Sequence, residues 1–263
     1  MTVQVAVVPG AGRGTRMRPA TRVVPKGLLT VIDRPAIQYV VEEAARAGAT
    51  EVLIVVDLDA GHLIQQHFLV EGRLPGLEGV KIRMVVQEEP LGLGHAVLQA
   101  SEAVRDRTFF CLLADNIVRP HDDVLPSLAA AAAGESAVCL RRLSNEMLSH
   151  YGVIVPGGEE KDDVVEVIGA IEKPGADRAP SNLGLIGRYV FTHEIFEILA
   201  DLAPGHGGEI QLTDAIDQLG KRGRVRGYIA NDDLLDVGTP KGLVEATSVL
   251  GRDLYPELFD CAH

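Results

Sequence analysis

Gly10, Gly12 and Gly14 punctuate the segment Val8-Pro-Gly-Ala-Gly-Arg-Gly-Thr-Arg-Met-Arg-Pro19, and Arg13, Arg16 and Arg18 crowd the same turn. Lys26 follows in Val24-Pro-Lys-Gly-Leu28. Glycines open backbone conformations closed to other residues, so successive main-chain N–H groups can face an anion. The chain as a whole is acidic, with a formal net charge of −12, so a local concentration of cations beside a glycine turn points to a polyphosphate. Two common phosphate motifs do not fit. The P-loop needs G-x-x-x-x-G-K-[ST], and no lysine follows a glycine here in that arrangement. The dinucleotide fingerprint G-x-G-x-x-G needs a third glycine where Thr15 stands. A tight strand-to-helix connection without a ligand is the competing reading of the glycines alone; the arginines and Pro25-Lys26 favour phosphate.

The elements around this loop are legible from periodicity. The apolar run 3–8 predicts a buried strand leading into it. Over 35–47, Ile37, Val40, Val41, Ala44 and Ala45 recur at helical spacing, with Gly48 as a stop. Residues 51–56 predict the next strand, which completes a β-loop-α-β unit with parallel strands and a right-handed crossover. A helix over 57–68, a loop over 72–79, a strand over 80–87, a helix over 91–104 and a strand over 108–113 follow. This alternation implies an open parallel sheet covered by helices, which takes ligands at the carboxyl ends of its strands. The glycine loop, Gln87 and Asp115 all fall at such ends. The second half is richer in strands. Helices are predicted over 122–133, 193–201, 211–221 and 240–250, and strands over 137–142, 151–155, 164–172, 183–191 and 224–230. The tail after Gly251 carries no clear period.

Composition narrows the function classes. With 263 residues and 46% hydrophobic content the chain can bury a substantial core. No apolar run is long enough to span a membrane and no signal peptide opens the sequence, so a soluble, cytoplasmic protein is expected. Cys111, Cys139 and Cys261 are widely spaced and odd in number, which argues against a disulfide framework or a zinc site. An excess of 37 acidic over 25 basic residues, with 4% aromatics and no tryptophan, argues against nucleic-acid binding.

The pattern Gly12-x-Gly14-Thr15-Arg16-Met17-x-Pro19-Ala-Thr21-x-x-x-Pro25-Lys26 resembles the signature of the sugar-1-phosphate nucleotidylyltransferases, and among them the bacterial UTP–glucose-1-phosphate uridylyltransferases. The likeness continues through Asp33-Arg-Pro-Ala-Ile-Gln-Tyr-Val-Val41, Gly92-Leu-Gly-His-Ala-Val97, Glu172-Lys-Pro174, Pro180-Ser-Asn-Leu183, Gly187-Arg-Tyr-Val190 and Glu209-Ile-Gln-Leu-Thr-Asp-Ala-Ile216. It therefore covers nearly the whole chain.

The resemblance implies an α/β, Rossmann-like three-layer αβα nucleotidyltransferase fold with a mixed, mostly parallel central sheet. It implies one domain over 1–263: a nucleotide-binding lobe to about residue 120, a sugar-phosphate lobe over about 121–235 and a helical segment over 236–263. The implied reaction is magnesium-dependent nucleotidylyl transfer from UTP to glucose-1-phosphate, giving UDP-glucose and pyrophosphate. Arg16 and Lys26 would act on the triphosphate, with Ala11, Gly12, Arg13, Gly14 and Thr15 around it. Gln87 and Gly92 would read the pyrimidine, and His95 would be structural. Gly152, Glu172, Lys173 and Leu185 would hold the sugar phosphate. Asp115 and Asp236 would bind Mg2+; taken singly, each aspartate reads equally as a strand-end or capping residue, and Glu172-Lys173 as a solvated surface pair. A homo-oligomer is expected.

Three departures from that branch keep alternatives open. Glycine stands at position 27 where its members carry glutamate, threonine at 30 where they carry proline, and most of a helical insertion after Phe68 is missing. The same chemistry with dTTP, ATP or another hexose-1-phosphate is one alternative, and a non-catalytic sensor of nucleotide sugars is another.

Overall fold

The structure is a computed structural model that describes residues 2–12, 14–59, 61–69, 74–119, 122, 124–231 and 234–259. In chain order the strands are β1 (Val5–Pro9), β2 (Thr30–Val31), β3 (Arg34–Pro35), β4 (Glu51–Val56), β5 (Lys81–Val86), β6 (Phe109–Leu112), β7 (Asn116–Val118), β8 (Ser136–Arg142), β9 (Val153–Pro156), β10 (Val164–Ile171), β11 (Leu183–Phe191), β12 (Val225–Ile229) and β13 (Leu234–Asp236). The helices are α1 (Ala36–Arg46), α2 (Gly61–Leu69), α3 (Leu93–Leu98), α4 (Ser101–Val104), α5 (Val124–Ala132), α6 (Glu194–Asp201), α7 (Leu212–Lys221) and α8 (Pro240–Leu254).

The main sheet has the order β5-β4-β1-β6-β11-β8-β12-β10-β9. β5, β4, β1 and β6 pair in parallel, and β12 runs parallel to β8. β11 is antiparallel to both β6 and β8, and β10 to both β12 and β9, so those two strands run against the rest. The α/β class and the mixed sheet expected from the sequence are what the chain adopts.

Alternation along the central strands explains why helices cover both faces. Val5, Val7, Leu53 and Val55 point into one core with Leu212, Ile216 and Leu219 of α7. Ala6, Val8, Val52 and Ile54 point into the opposite core with Ile37, Val40 and Val41 of α1. Side chains of successive strand residues face opposite sides, so a run apolar at every position needs cover on both. Each Val, Leu or Ile side chain among them contributes about 1.5–3 kcal/mol when fully buried. A third cluster, with Val31, Tyr39, Ile117, Val237 and Leu250, packs the β2–β3 and β7–β13 ribbons against α1 and α8.

Local differences from the sequence expectation have local causes. The helix expected over 91–104 divides into α3 and α4. The chain tightens between them, with Ala100 N–H donating to the Val97 carbonyl at 3.0 Å and Ala103 N–H to the Ala100 carbonyl at 3.1 Å. The helix expected from residue 57 begins only at Gly61. At the other end α8 continues through Gly251 to Leu254, followed by a short 3-10 turn at Pro256–Leu258. Cys261 lies outside the described residues, while burial holds the Cys111 thiol above its usual range. Among the described residues no helix is long and apolar enough to cross a membrane.

Candidate active site

A cleft of about 510 Å³ opens at the carboxyl ends of β1, β5 and β6. Ala11, Gly12, Gly14 and Thr15 line the cleft together with Lys26 and Asp115. Gln87, Gly92 and Leu93 line it as well. The loop is anchored by Gly10 N–H donating to the Val55 carbonyl at 2.7 Å and by the Thr21 hydroxyl donating to the Gly14 carbonyl at 2.6 Å. Arg16 sits exposed in a 3-10 turn over Thr15–Met17. Arg13 lies outside the described residues.

Asp115 follows β6 and Asp236 ends β13, yet the β7–β13 ribbon places Asp236 opposite Asn116. Val237 N–H donates to the Asp115 carbonyl at 2.8 Å, which locks the two loops together. Gly238 measures the convergence: a Cβ there would lie 2.7 Å from Asp236 Oδ1, 2.9 Å from Asp115 Oδ2 and 2.9 Å from Lys26 Nζ. Lys26 donates directly to Asp115 Oδ2. Two carboxylates from distant parts of the sequence thus face one point that already holds a cationic group. Tyr151 donates its hydroxyl to Asp236 Oδ2 at 3.1 Å. Burial and the neighbouring Asp236 and Asp115 carboxylates push the Tyr151 phenol well above its usual range, so it stays a donor.

Gln87 is buried at the end of β5. Its Nε2 donates to the Gly92 carbonyl at 3.2 Å and lies 2.9 Å from His95 Nδ1. The side-chain nitrogen is committed to those two contacts, and the residue lines the cleft. Gly92 has φ +107°, and a Cβ would fall 2.7 Å from Glu209 Cβ and 2.8 Å from the Ile210 carbonyl. Only glycine fits this turn without strain. The close approach is used: Ile210 N–H donates to the Leu91 carbonyl and Gly94 N–H to the Ile210 carbonyl, both at 2.8 Å.

The four residues expected to hold the sugar phosphate form a second group. Glu172 accepts from Thr213 Oγ1 at 2.6 Å and pairs with Lys173 Nζ at 2.8 Å. Leu185 N–H donates to the Gly152 carbonyl at 2.8 Å, and a Cβ on Gly152 would lie 2.7 Å from Thr213 Oγ1. Lys173 has φ +45°, an uncommon conformation for a side-chain-bearing residue. Gly152 follows Tyr151, so the tyrosine links this group to Asp236 and the cleft. Burial, and then the Glu172 and Asp217 carboxylates, raise the nearby Asp214 carboxyl above its usual range.

Sequence patterns alone pass over Tyr151, Thr213, Glu43 and Arg188. Arg188 does carry a signal, since it is a lone cation in the apolar run of β11. Its partner Glu43 sits among the apolar positions of α1.

Comparison with known proteins places this arrangement. Residues 5–252 match the nucleotidyl transferase family. The chain is 38% identical to UTP–glucose-1-phosphate uridylyltransferase 2 of Staphylococcus saprophyticus, over 93% of this chain and 91% of that one. It is 37% identical to UTP–glucose-1-phosphate uridylyltransferase of Bacillus subtilis, over 93% and 90%. Among solved structures, a UDP-glucose pyrophosphorylase complexed with UDP-glucose superimposes with a TM-score of 0.89 at 33% identity, over 95% of this chain and 99% of the other. With its glycine loop and paired aspartates at the strand ends, the chain belongs to the nucleotidyl transferase family.

Proposed function

We propose that this protein is a UTP–glucose-1-phosphate uridylyltransferase, joining UTP and glucose-1-phosphate to give UDP-glucose and pyrophosphate. The observation that carries the reading is the convergence of Asp115, Asp236 and Lys26 around Gly238 beside the glycine loop. Its relatives at 34–38% identity are uridylyltransferases of this kind.

The carboxylates fit magnesium. A hard dication takes oxygen ligands, commonly one or two carboxylates with the rest from phosphate and water. Asp115 Oδ2 and Asp236 Oδ1 supply two such oxygens around one point, and among the described residues no third acidic, His or Cys side chain completes a closed site. When bound, the cation would neutralise charge on the triphosphate as the α-phosphorus is attacked.

The protein's own groups do the positioning. A phosphate oxygen of the sugar phosphate forms a new bond to the α-phosphorus while the bond to the bridging oxygen of the departing pyrophosphate breaks. Main-chain N–H groups of the glycine loop hold the triphosphate, and Lys26 and Arg16 meet charge on the leaving group. No proton need move, so no general base is required. Gln87 Oε1 accepts from the N3–H of uracil; the cytosine ring presents an acceptor at that position and is refused. Glu172 accepts from sugar hydroxyls, Lys173 faces the sugar phosphate, and Gly152 and Leu185 shape the wall. Holding both substrates in one geometry supplies much of the acceleration.

The deciding experiment measures pyrophosphate release with magnesium, crossing UTP, dTTP, ATP, CTP and GTP against several hexose-1-phosphates. A dominant rate for UTP with glucose-1-phosphate is expected. A dominant rate for another pair would retain the chemistry and reject the substrates. Silence across the panel with UDP-glucose still bound would reject catalysis.

A further inference from the structure

Arg188 is the one basic side chain of the buried interior among the described residues, with 0% exposure in the middle of β11. Its Nε donates to Glu43 Oε1 at 2.9 Å and Oε2 at 3.1 Å, and Nη2 donates to Glu43 Oε2 at 2.7 Å. The remaining donors are aimed at main chain. Nη2 also reaches the Asn116 carbonyl at 2.5 Å, and Nη1 reaches the Leu113 carbonyl at 3.3 Å and the Gly187 carbonyl at 3.0 Å. Leu113 and Asn116 are the two ends of the turn that carries Asp115. Asn116 N–H closes that turn onto the Leu113 carbonyl at 3.3 Å, and Leu113 N–H donates to the Gly187 carbonyl at 3.0 Å.

A buried ion pair is a costly way to fill a core, and apolar side chains of similar volume often pack there with equal or greater stability. What an apolar pair cannot do is hold three carbonyls in fixed positions. Lysine cannot do it either, because its point charge lacks the planar fork. We propose that Arg188, neutralised by Glu43, is a positioning residue that clamps the 113–116 turn and thereby aims the Asp115 carboxylate at the cation it shares with Asp236. The inference rests on the metal reading above. Arg188 touches no substrate; it acts through the backbone on either side of Asp115.

The test compares the wild-type protein with Arg188→Met/Glu43→Leu, which removes both charges together, and with Arg188→Lys. Thermal melting and nucleotide binding without metal report the fold, and electron paramagnetic resonance reports Mn2+ binding to the UTP complex. In the double variant, Mn2+ affinity should fall about 10–100-fold, and the Mg2+ needed for half-maximal activity should rise in step, while the KM for glucose-1-phosphate moves less than about 3-fold. Melting should stay cooperative and metal-free nucleotide binding unchanged. A folded double variant with wild-type Mn2+ affinity would overturn the proposal, as would equal losses toward metal and sugar phosphate. Should the double variant fail to fold, Arg188→Lys is judged by the same two criteria. A wild-type protein whose UTP complex binds no Mn2+ would instead overturn the metal reading itself.

Discussion

Lys26 and Asp115, 89 residues apart in sequence, meet as an ion pair in the wall of the cleft, their side chains 14% and 23% exposed. The ammonium stands beside the same point that Asp236 Oδ1 faces. The lysine thus sets one positive charge beside two carboxylates, and in the proposed function it is the group that meets the triphosphate.

Replacing Asp115 with asparagine keeps the shape and removes the charge. Turnover with Mg2+ should drop at least about 100-fold, the scale of several kcal/mol of lost charge stabilisation. Circular dichroism should remain unchanged. Pyrophosphate release within a few fold of wild type would refute the metal role of this carboxylate.

Lys173→Ala addresses the second substrate. Losing a charge-assisted contact should raise the KM for glucose-1-phosphate roughly 10–100-fold, with a much smaller effect on UTP. Steady-state kinetics in both substrates provide the check, and an equal effect on each would remove Lys173 from the sugar-phosphate site.

Gln87 bears on base choice. Its nitrogen is tied to Gly92, and the proposed function gives the carbonyl oxygen the contact with the base. Gln87→Ala should therefore cut the preference for UTP over CTP by at least about 10-fold, since it removes the group that rejects cytosine. Competition between the two nucleotides measures this; an unchanged ratio would exclude Gln87 from base readout.

Gly92→Ala probes the tight turn at the start of α3. A methyl group at φ +107° meets the Glu209 side chain and Ile210 backbone at 2.7–2.8 Å. Loss of about 1–3 kcal/mol is expected from strain and overpacking together. Chemical denaturation would show it, and wild-type stability would mean the Glu209–Ile210 loop moves aside freely.

Asp214 governs a pH effect. Its carboxyl is raised by burial and by the Glu172 and Asp217 charges, so the folded protein holds that proton more tightly than the unfolded chain. Stability from this group is full below the ordinary aspartate range and is lost as pH rises through the elevated value. In Asp214→Asn the melting temperature should fall less than in wild type as pH rises from about 4 to 7. Parallel melting curves across that range would refute the shift.

Much of the fold was open to reading because its signals are local. The continuous apolar run over 52–56, the glycine break after Val8 and helical spacing over 35–47 each act within a few residues, and the corresponding elements form where expected. Glu51–Val56 and Leu183–Phe191 match the expected strands residue for residue. The glycine loop, Lys26 and the strand-end position of Gln87 were legible for the same reason, since turn chemistry and strand ends lie next to one another along the chain; Gly92 was singled out through the family resemblance, and all of them line the cleft.

Partnership across the sheet is another matter, because it depends on strand order and register. Asp236 meets Asp115 only because β13 pairs with β7 in a register that sets Asp236 opposite Asn116. Glu172 beside Lys173 reads as an ordinary surface pair until α7 brings Thr213 against it. The Arg188–Glu43 clamp spans 145 residues and joins α1, β11 and the Asp115 turn. The sequence by itself determined which elements form and which loop gathers glycines and cations, since propensity, period and turn geometry are properties of neighbouring residues. Tertiary structure decided which charged groups face each other, because burial makes each ion depend on whatever partner the packing supplies.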